Sequence, residues 1–192
     1  RLENFLSKKI CDEIIFEIDN FIEKDKKNKT SKIDLKNGFD SRIFSFHKIS
    51  NNAKNFLDNQ KINFIINNYL GNNFNYSFTL AQEIRFVENN SGSGGGWHRD
   101  NTILKYPKAM IYLSDVDNSN GCFEYIKGTH DIKGIIKLLY KNNIKPSQGT
   151  FSEKEIEDKF NNQNNFKREK FFGNAGSQGR YKGCLESNGS PS

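Results

Sequence analysis

The hydrophobic period of this chain changes from mainly helical to strand-like near residue 74, and that change limits the folds open to it more than any other feature. Over residues 4–23, NFLSKKICDEIIFEIDNFIE, the apolar positions Ile10, Ile14, Ile15, Ile18, Phe21 and Ile22 recur at helical spacing, with Ser7 placed to cap the helix. Residues 51–70 are again helical in pattern, with Phe56, Leu57, Phe64, Ile65 and Leu70 as the expected buried stripe and Gly71 as the stop. Between them RIFSFH, residues 42–47, alternates like a short strand. From residue 74 alternation takes over: Tyr76, Phe78, Leu80 and Gln82, then Ile84 and Phe86, read as β-strand. KAMIYLSDV (108–116) reads as a buried strand, residues 118–121 as a turn, and 122–126 as its hairpin partner. Residues 128–134 turn away, and a long polar insertion runs from about 140 to 168. Helices followed by strands predict a mainly β chain with flanking helices (α+β), in the form of a helix-buttressed sandwich or barrel.

Composition bounds what such a fold does. The 192 residues fit one domain; apolar content is only 34%, but 17 Phe and 7 Tyr supply large surfaces for a core. The net charge of +6 is compatible with an anionic small substrate or cofactor. Its densest basic run, residues 24–29, reads as a solvated helix end. Basic residues are not interleaved with aromatics on one face, so no nucleic-acid partner is expected. Cys11, Cys122 and Cys184 are odd in number and lack C-x-x-C spacing, which favours a reducing, cytoplasmic setting over a disulfide framework or zinc ribbon. No stretch approaches bilayer-spanning length, so no membrane partner is expected, and nothing fixes an oligomeric state. The first residue is Arg1, so the natural start is expected upstream.

The C-terminal end changes character. After GNAGS (173–177) the chain reads QGRYKGCLESNGSPS, without periodicity and without Ile, Phe or Val. The expected organisation is a folded domain over 1–176 and an irregular or non-native tail over 177–192.

The segment with chemistry in it is GWHRDN, residues 96–101. Residues two apart on a strand point to one face, so His98 and Asp100 can project together. An imidazole and a carboxylate on one face are two corners of the 2-His-1-carboxylate arrangement that holds ferrous iron with open positions. The same tripeptide also fits a surface turn with an ion-pairing His. Trp97 reads as a packing residue; Arg99, between the two candidate ligands, points to the face opposite them and reads as a surface ion-pairing residue. Asn101 is a candidate to bond the Asp100 carboxylate. The run SGSGGG (91–96) lacks the Lys and helix of a phosphate loop and reads as a mobile lid; the insertion at 140–168 would be a second.

The downstream text KAMIYLSDVDNSNGCFEYIKGTHD resembles the phytanoyl-CoA dioxygenase family of iron(II)/2-oxoglutarate oxygenases, in the run from Gly121 through Glu124 and Gly128 to Thr129 and His130. The opening ENFLSKKICDEIIFEID (3–19) is similar to the family's first helix, and the resemblance covers residues 3–176. It implies a double-stranded β-helix (a cupin-like jelly roll) with iron(II) on His98 and Asp100. It also implies 2-oxoglutarate as co-substrate, and a small organic molecule hydroxylated with O2. Gln82 and Arg85, on the strand entering the site, are candidates to face 2-oxoglutarate, although their opposite parity lets only one face in.

The family places a second ligating His, then an Arg for the co-substrate carboxylate, beyond a phrase that FFGNAG (171–176) begins. Here no His follows His130, so the barrel and its iron site are expected to be incomplete as written. His130 and His47 read as hydrogen-bonding residues rather than replacements. Two functions stand side by side. One is a dioxygenase of this family; the other is a catalytically inactive small-molecule-binding module on the same barrel. A cupin-type isomerase or sugar binder would show more His ligands.

Overall fold

The computed structural model describes residues 5–28, 33–36, 40–71, 74–85, 96–99, 107–119, 121–127, 129, 132–141, 143–145, 147–160, 167–176 and 184–191. The chain is α+β with antiparallel strands and divides into two units. One comprises residues 1–87, 102–122 and 172–192; the other comprises 88–101 and 123–171.

The larger unit opens with α1 (Lys8–Asn28), whose start is fixed as expected by Ser7: its Oγ accepts from the Ile10 N–H at 3.3 Å. Cys11, Ile14, Ile18 and Ile22 recur every three or four residues and are all buried, each Ile contributing about 1.5–3 kcal/mol by leaving water. Strands β1 (Ile33–Lys36) and β2 (Asp40–Phe44) follow, and β2 ends earlier than the sequence suggests. Ser45 takes a left-handed φ of 56° and a 3-10 turn at Phe46–Lys48 buries Phe46, so His47 lies in a turn, not a strand.

The single helix expected over 51–70 is two helices, α2 (Asn51–Leu57) and α3 (Gln60–Leu70). The break is made by side chains that satisfy backbone donors. Ser50 caps α2 through the Ala53 N–H at 3.0 Å, and Asn59 caps α3 through Lys61 and Ile62 at 3.0 and 3.2 Å. Restarting the helix resets its phase. Ala53, Phe56, Ile62, Ile66 and Leu70 are buried, whereas Phe64 and Ile65, expected inside, are 69% and 53% exposed. Gly71 closes α3 with φ 74°, as expected.

Strand β3 (Phe74–Ile84) begins where the period changes. It lies in a five-stranded antiparallel sheet ordered β1-β2-β3-β9-β5, where β5 is Lys108–Ile111 and β9 is Cys184–Pro191. The tail expected to be irregular therefore supplies, over 184–191, a strand paired with both β3 and β5. Sheet pairing is made by the backbone, so a polar sequence without a hydrophobic face can still fill a gap between two strands. Ile43, Ala81, Ala109 and Ile111 join α1, α2 and α3 in the unit's core. The segment 112–116 bends away from β5, and Val116 exchanges backbone hydrogen bonds with Gly173 at 2.8 and 3.1 Å. Gly176, with φ 81°, donates to Tyr112 O at 2.8 Å and accepts from the Phe5 and Leu6 N–H groups at 3.0 and 3.3 Å.

The smaller unit holds β4 (Trp97–His98), β6 (Phe123–Lys127), α4 (Ile132–Lys141), β7 (Thr150–Phe151), α5 (Glu153–Phe160) and β8 (Lys167–Phe171). β6 pairs with β8 in the register Phe123↔Phe171, not with β5 as the expected hairpin. The Asp117 carboxylate accepts from the Ser119 N–H at 2.7 Å, and Gly121 follows at φ 81°. The turn thus forms, but it connects different sheets. The supposed turn at 128–134 runs into α4. The polar insertion at 140–168 contributes Ile144, Ile156 and Phe160, which with Ile126 form this unit's core. Described strands thus form one five-stranded and two two-stranded sheets rather than a closed barrel. Among the described residues no helix is long and apolar enough to cross a membrane.

Candidate functional site

Trp97 and His98 form β4, which pairs antiparallel with β7 in the register Trp97↔Phe151 and His98↔Thr150. The Arg99 N–H extends the ladder to Gly149 O at 2.8 Å. Alternation then separates the two side chains. Trp97 packs with Phe151 against the core of Ile126, Ile144, Ile156 and Phe160, and His98 is exposed. Gly96 enters this strand at φ 93°, a conformation that favours glycine, and its carbonyl lies 2.9 Å from His98 Nδ1.

That contact decides a proton position. A carbonyl oxygen only accepts, so Nδ1 carries the hydrogen and the lone pair of the neutral ring lies on Nε2. Imidazole ligands are commonly oriented in this way, with one ring nitrogen held by a carbonyl and the other left as the donor atom. His47 is arranged oppositely. Its Nδ1 accepts from the Thr79 backbone N–H at 3.3 Å, and its own N–H donates to Thr79 Oγ1 at 2.7 Å. Burial, with the neighbouring Lys48 charge, lowers the pKa of His47, which marks it as a neutral structural residue.

The strand carrying His98 is fastened by a charged cluster. The Trp97 indole N–H donates to Glu153 Oε2 at 2.6 Å, and Arg168 lies 5.0 Å above the indole ring. Arg168 also reaches Glu153 Oε1 and Glu124 Oε2, both at 2.5 Å, while Lys170 meets Glu124 Oε1 at 3.1 Å. Burial pushes the Glu153 carboxyl up, but the bonds from Trp97 and Arg168 outweigh it and hold its pKa below the ordinary range. These partners come from β8, α5 and β6, and sequence reading missed Glu153 and Arg168. One local signal was available. Ser152-Glu153-Lys154-Glu155 is a capping box, in which the Ser152 N–H donates to Glu155 Oε2 at 2.8 Å and the Glu155 N–H donates to Ser152 Oγ at 3.2 Å. It places a helix start, with Glu153 in its first turn, inside the supposed insertion.

Asp100, Asn101, His130 and residues 91–95 of the expected lid lie outside the described residues. Among the described residues no group of three His, Cys, Asp or Glu side chains gathers as a metal cluster. Gln82 is buried on β3, and its Nε2 donates to Asp40 Oδ1 at 2.7 Å. Arg42, directly across the ladder from Gln82, grips the same carboxylate through Nη2 at 2.7 Å and Nε at 3.0 Å. Ile43 and Ala81 join the core with α1, so strand alternation puts Arg42 and Gln82 on the other face of the sheet. Arg85 follows the end of β3 and forms a fork with Glu83, Nε to Oε1 at 3.1 Å and Nη2 to Oε2 at 3.0 Å. Glu83 first, then Asp19 and Glu23 of α1, raise the Arg85 pKa, and Arg85 is opposite in strand parity to Gln82. Gln82 and Arg85 thus lie on opposite faces. A cleft of about 620 Å³ at the start of α1, lined by Leu6, Ser7, Lys8, Asp115, Asn174 and Ala175, includes none of the expected site residues.

The family model for phytanoyl-CoA dioxygenase (PhyH) matches residues 1–176. No curated protein matches the chain, and no solved structure matches it.

Proposed function

The chain belongs to the phytanoyl-CoA dioxygenase family, and from that premise we propose that it is an iron(II)- and 2-oxoglutarate-dependent dioxygenase that hydroxylates a small organic substrate with O2. The supporting observation is the His98 ring, presented at an exposed strand end with its Nδ1 proton directed to Gly96 O. An imidazole with its lone pair on Nε2 suits ferrous iron, and Asp100, two residues on, would add a hard oxygen donor. His98 and Asp100 would hold the metal. Bound iron(II) with 2-oxoglutarate supplies the oxidising chemistry that places one O2 oxygen on a substrate carbon, the co-substrate leaving as succinate and carbon dioxide.

The remaining work falls to the protein. The Gly96 carbonyl holds the His98 proton on Nδ1, so binding requires no tautomer change. Trp97, anchored by Glu153 and Arg168, keeps the strand from rotating. Gln82 and Arg85 are the side chains proposed for 2-oxoglutarate. On a double-stranded β-helix, proposed here as the fold, helices cover the outer face, which favours Gln82, beside Arg42, over Arg85. A cytoplasmic setting, reducing and iron(II)-compatible, belongs to the same proposal.

The experiment is anaerobic titration with iron(II) and 2-oxoglutarate, monitored by the weak visible charge-transfer band of the ternary complex. Formation of the band, with its loss in His98→Ala and in Asp100→Ala, supports the proposal and shows that a third ligand completes the site. Absence of iron binding in a folded chain sinks the proposal in favour of an inactive small-molecule-binding module.

A further inference from the structure

Helix α4 (Ile132–Lys141) combines three observations that neither the fold nor the proposed chemistry uses. Ile136 and Tyr140, four residues apart on one helical face, are 49% and 84% exposed. Lys133 and Lys141 are exposed beside them, and Lys137 completes a four-residue spacing that continues to the exposed Lys145. From 132 to 152 the chain contains four Lys and no Asp or Glu, so this run supplies +4 of a net charge of +6. The contrast with α1 is sharp, because that helix carries both acidic and basic residues. The run is also fixed at its far end, where Ile144 is buried in the core of its unit.

We infer that the exposed face of α4 is a docking surface for an anionic lipid interface. An exposed apolar pair flanked by lysines suits a bilayer surface for a physical reason. A Tyr ring and an Ile side chain enter the boundary between headgroups and acyl chains, while Lys stems lie along it and their ammonium groups remain at the phosphates. An acid-free run adds attraction to an anionic leaflet. Nucleic acid fits less well: Tyr140 is the helix's one aromatic, and single-stranded bases need a row of stacking rings. The absence of a spanning segment does not bear on this, since interfacial contact requires a face rather than a span.

Co-sedimentation of the full chain with lipid vesicles tests the inference. Vesicles of phosphatidylcholine containing about a third phosphatidylserine are expected to bind the chain, and pure phosphatidylcholine is not. Lys133→Gln/Lys141→Gln and Ile136→Ser/Tyr140→Ser should each lower partitioning roughly tenfold. Lys54→Gln/Lys61→Gln, the same charge loss at exposed positions on α2 and α3, should leave it unchanged. All of these side chains are exposed, and thermal melts that coincide with the parent chain verify folding. The inference is overturned if anionic vesicles do not bind, or if the α4 variants sediment like the parent. Equal loss in the α2/α3 control overturns it too, by showing unspecific charge. So does α4-dependent binding to single-stranded RNA with none to vesicles, which would make the face a nucleic-acid site.

Discussion

The indole N–H of Trp97 donates to the Glu153 carboxylate at 2.6 Å across 56 residues of sequence, and His98 is the next residue along the same strand. A residue from the first turn of a helix thus anchors the strand that presents the proposed iron ligand. Because Trp97 is the one tryptophan in the chain, its fluorescence reports this contact without a label. Glu153 is held below the ordinary carboxylate range, so the contact is intact at neutral pH and is lost as pH falls through its lowered value. The emission should shift in that acid window in the parent chain and show no such transition in Glu153→Gln. Retention of the transition in the variant would assign it to another group.

Acidification tests His47 in a different window. Its pKa is lowered in the folded chain, so the neutral ring is favoured there and protonation opposes folding. Stability from this group is complete above the ordinary histidine value and declines as pH falls through that value towards the lowered one. Melting temperatures across this range should fall more steeply for the parent than for His47→Gln. Parallel curves would mean that burial beside Lys48 does not hold the ring neutral.

Gly176 offers a direct test of a close backbone approach. A Cβ built on it would lie 2.0 Å from Leu6 O, at a φ of 81° that already disfavours any other side chain. Gly176→Ala should therefore destabilise the chain by about 3 kcal/mol or more. Denaturant unfolding measures it, and a change under about 1 kcal/mol would show that the start of α1 and the 172–176 segment separate without consequence.

Gln82 and Arg85 are separable. Gln82→Ala removes a donor from the fully buried Asp40 carboxylate and should cost about 1–3 kcal/mol. Arg85 is half exposed, and Arg85→Gln should cost less than about 1 kcal/mol. If Gln82 also faces the co-substrate, its variant should require roughly tenfold more 2-oxoglutarate to form the visible complex, and Arg85→Gln should not. The opposite ordering would reassign the co-substrate side chain to Arg85.

Much of this protein is written locally. The burial of Ile14, Ile18 and Ile22, the Ser7 cap, the Gly71 stop and the start of β3 at residue 74 all follow from interactions within one turn or one pleat, which short stretches of sequence encode. The placement of His98 beside the core-facing Trp97 follows as well, because alternation along a strand needs no distant partner. What the sequence left undecided were choices between distant partners. β6 pairs with β8 instead of β5, and β9 enters between β3 and β5, because backbone hydrogen bonds do not depend on side-chain identity and many pairings are locally equivalent. The helix break at Asn59 reset the phase of α3, so that Phe64 and Ile65 are exposed while Leu70 stays buried, since one side-chain cap outweighed a continuous period. Glu153 and Arg168 are ordinary surface charges in sequence. They became the anchors of Trp97 only when tertiary structure gathered α5, β6 and β8 around one indole ring, where partial burial strengthens charge-assisted bonds that water would otherwise screen.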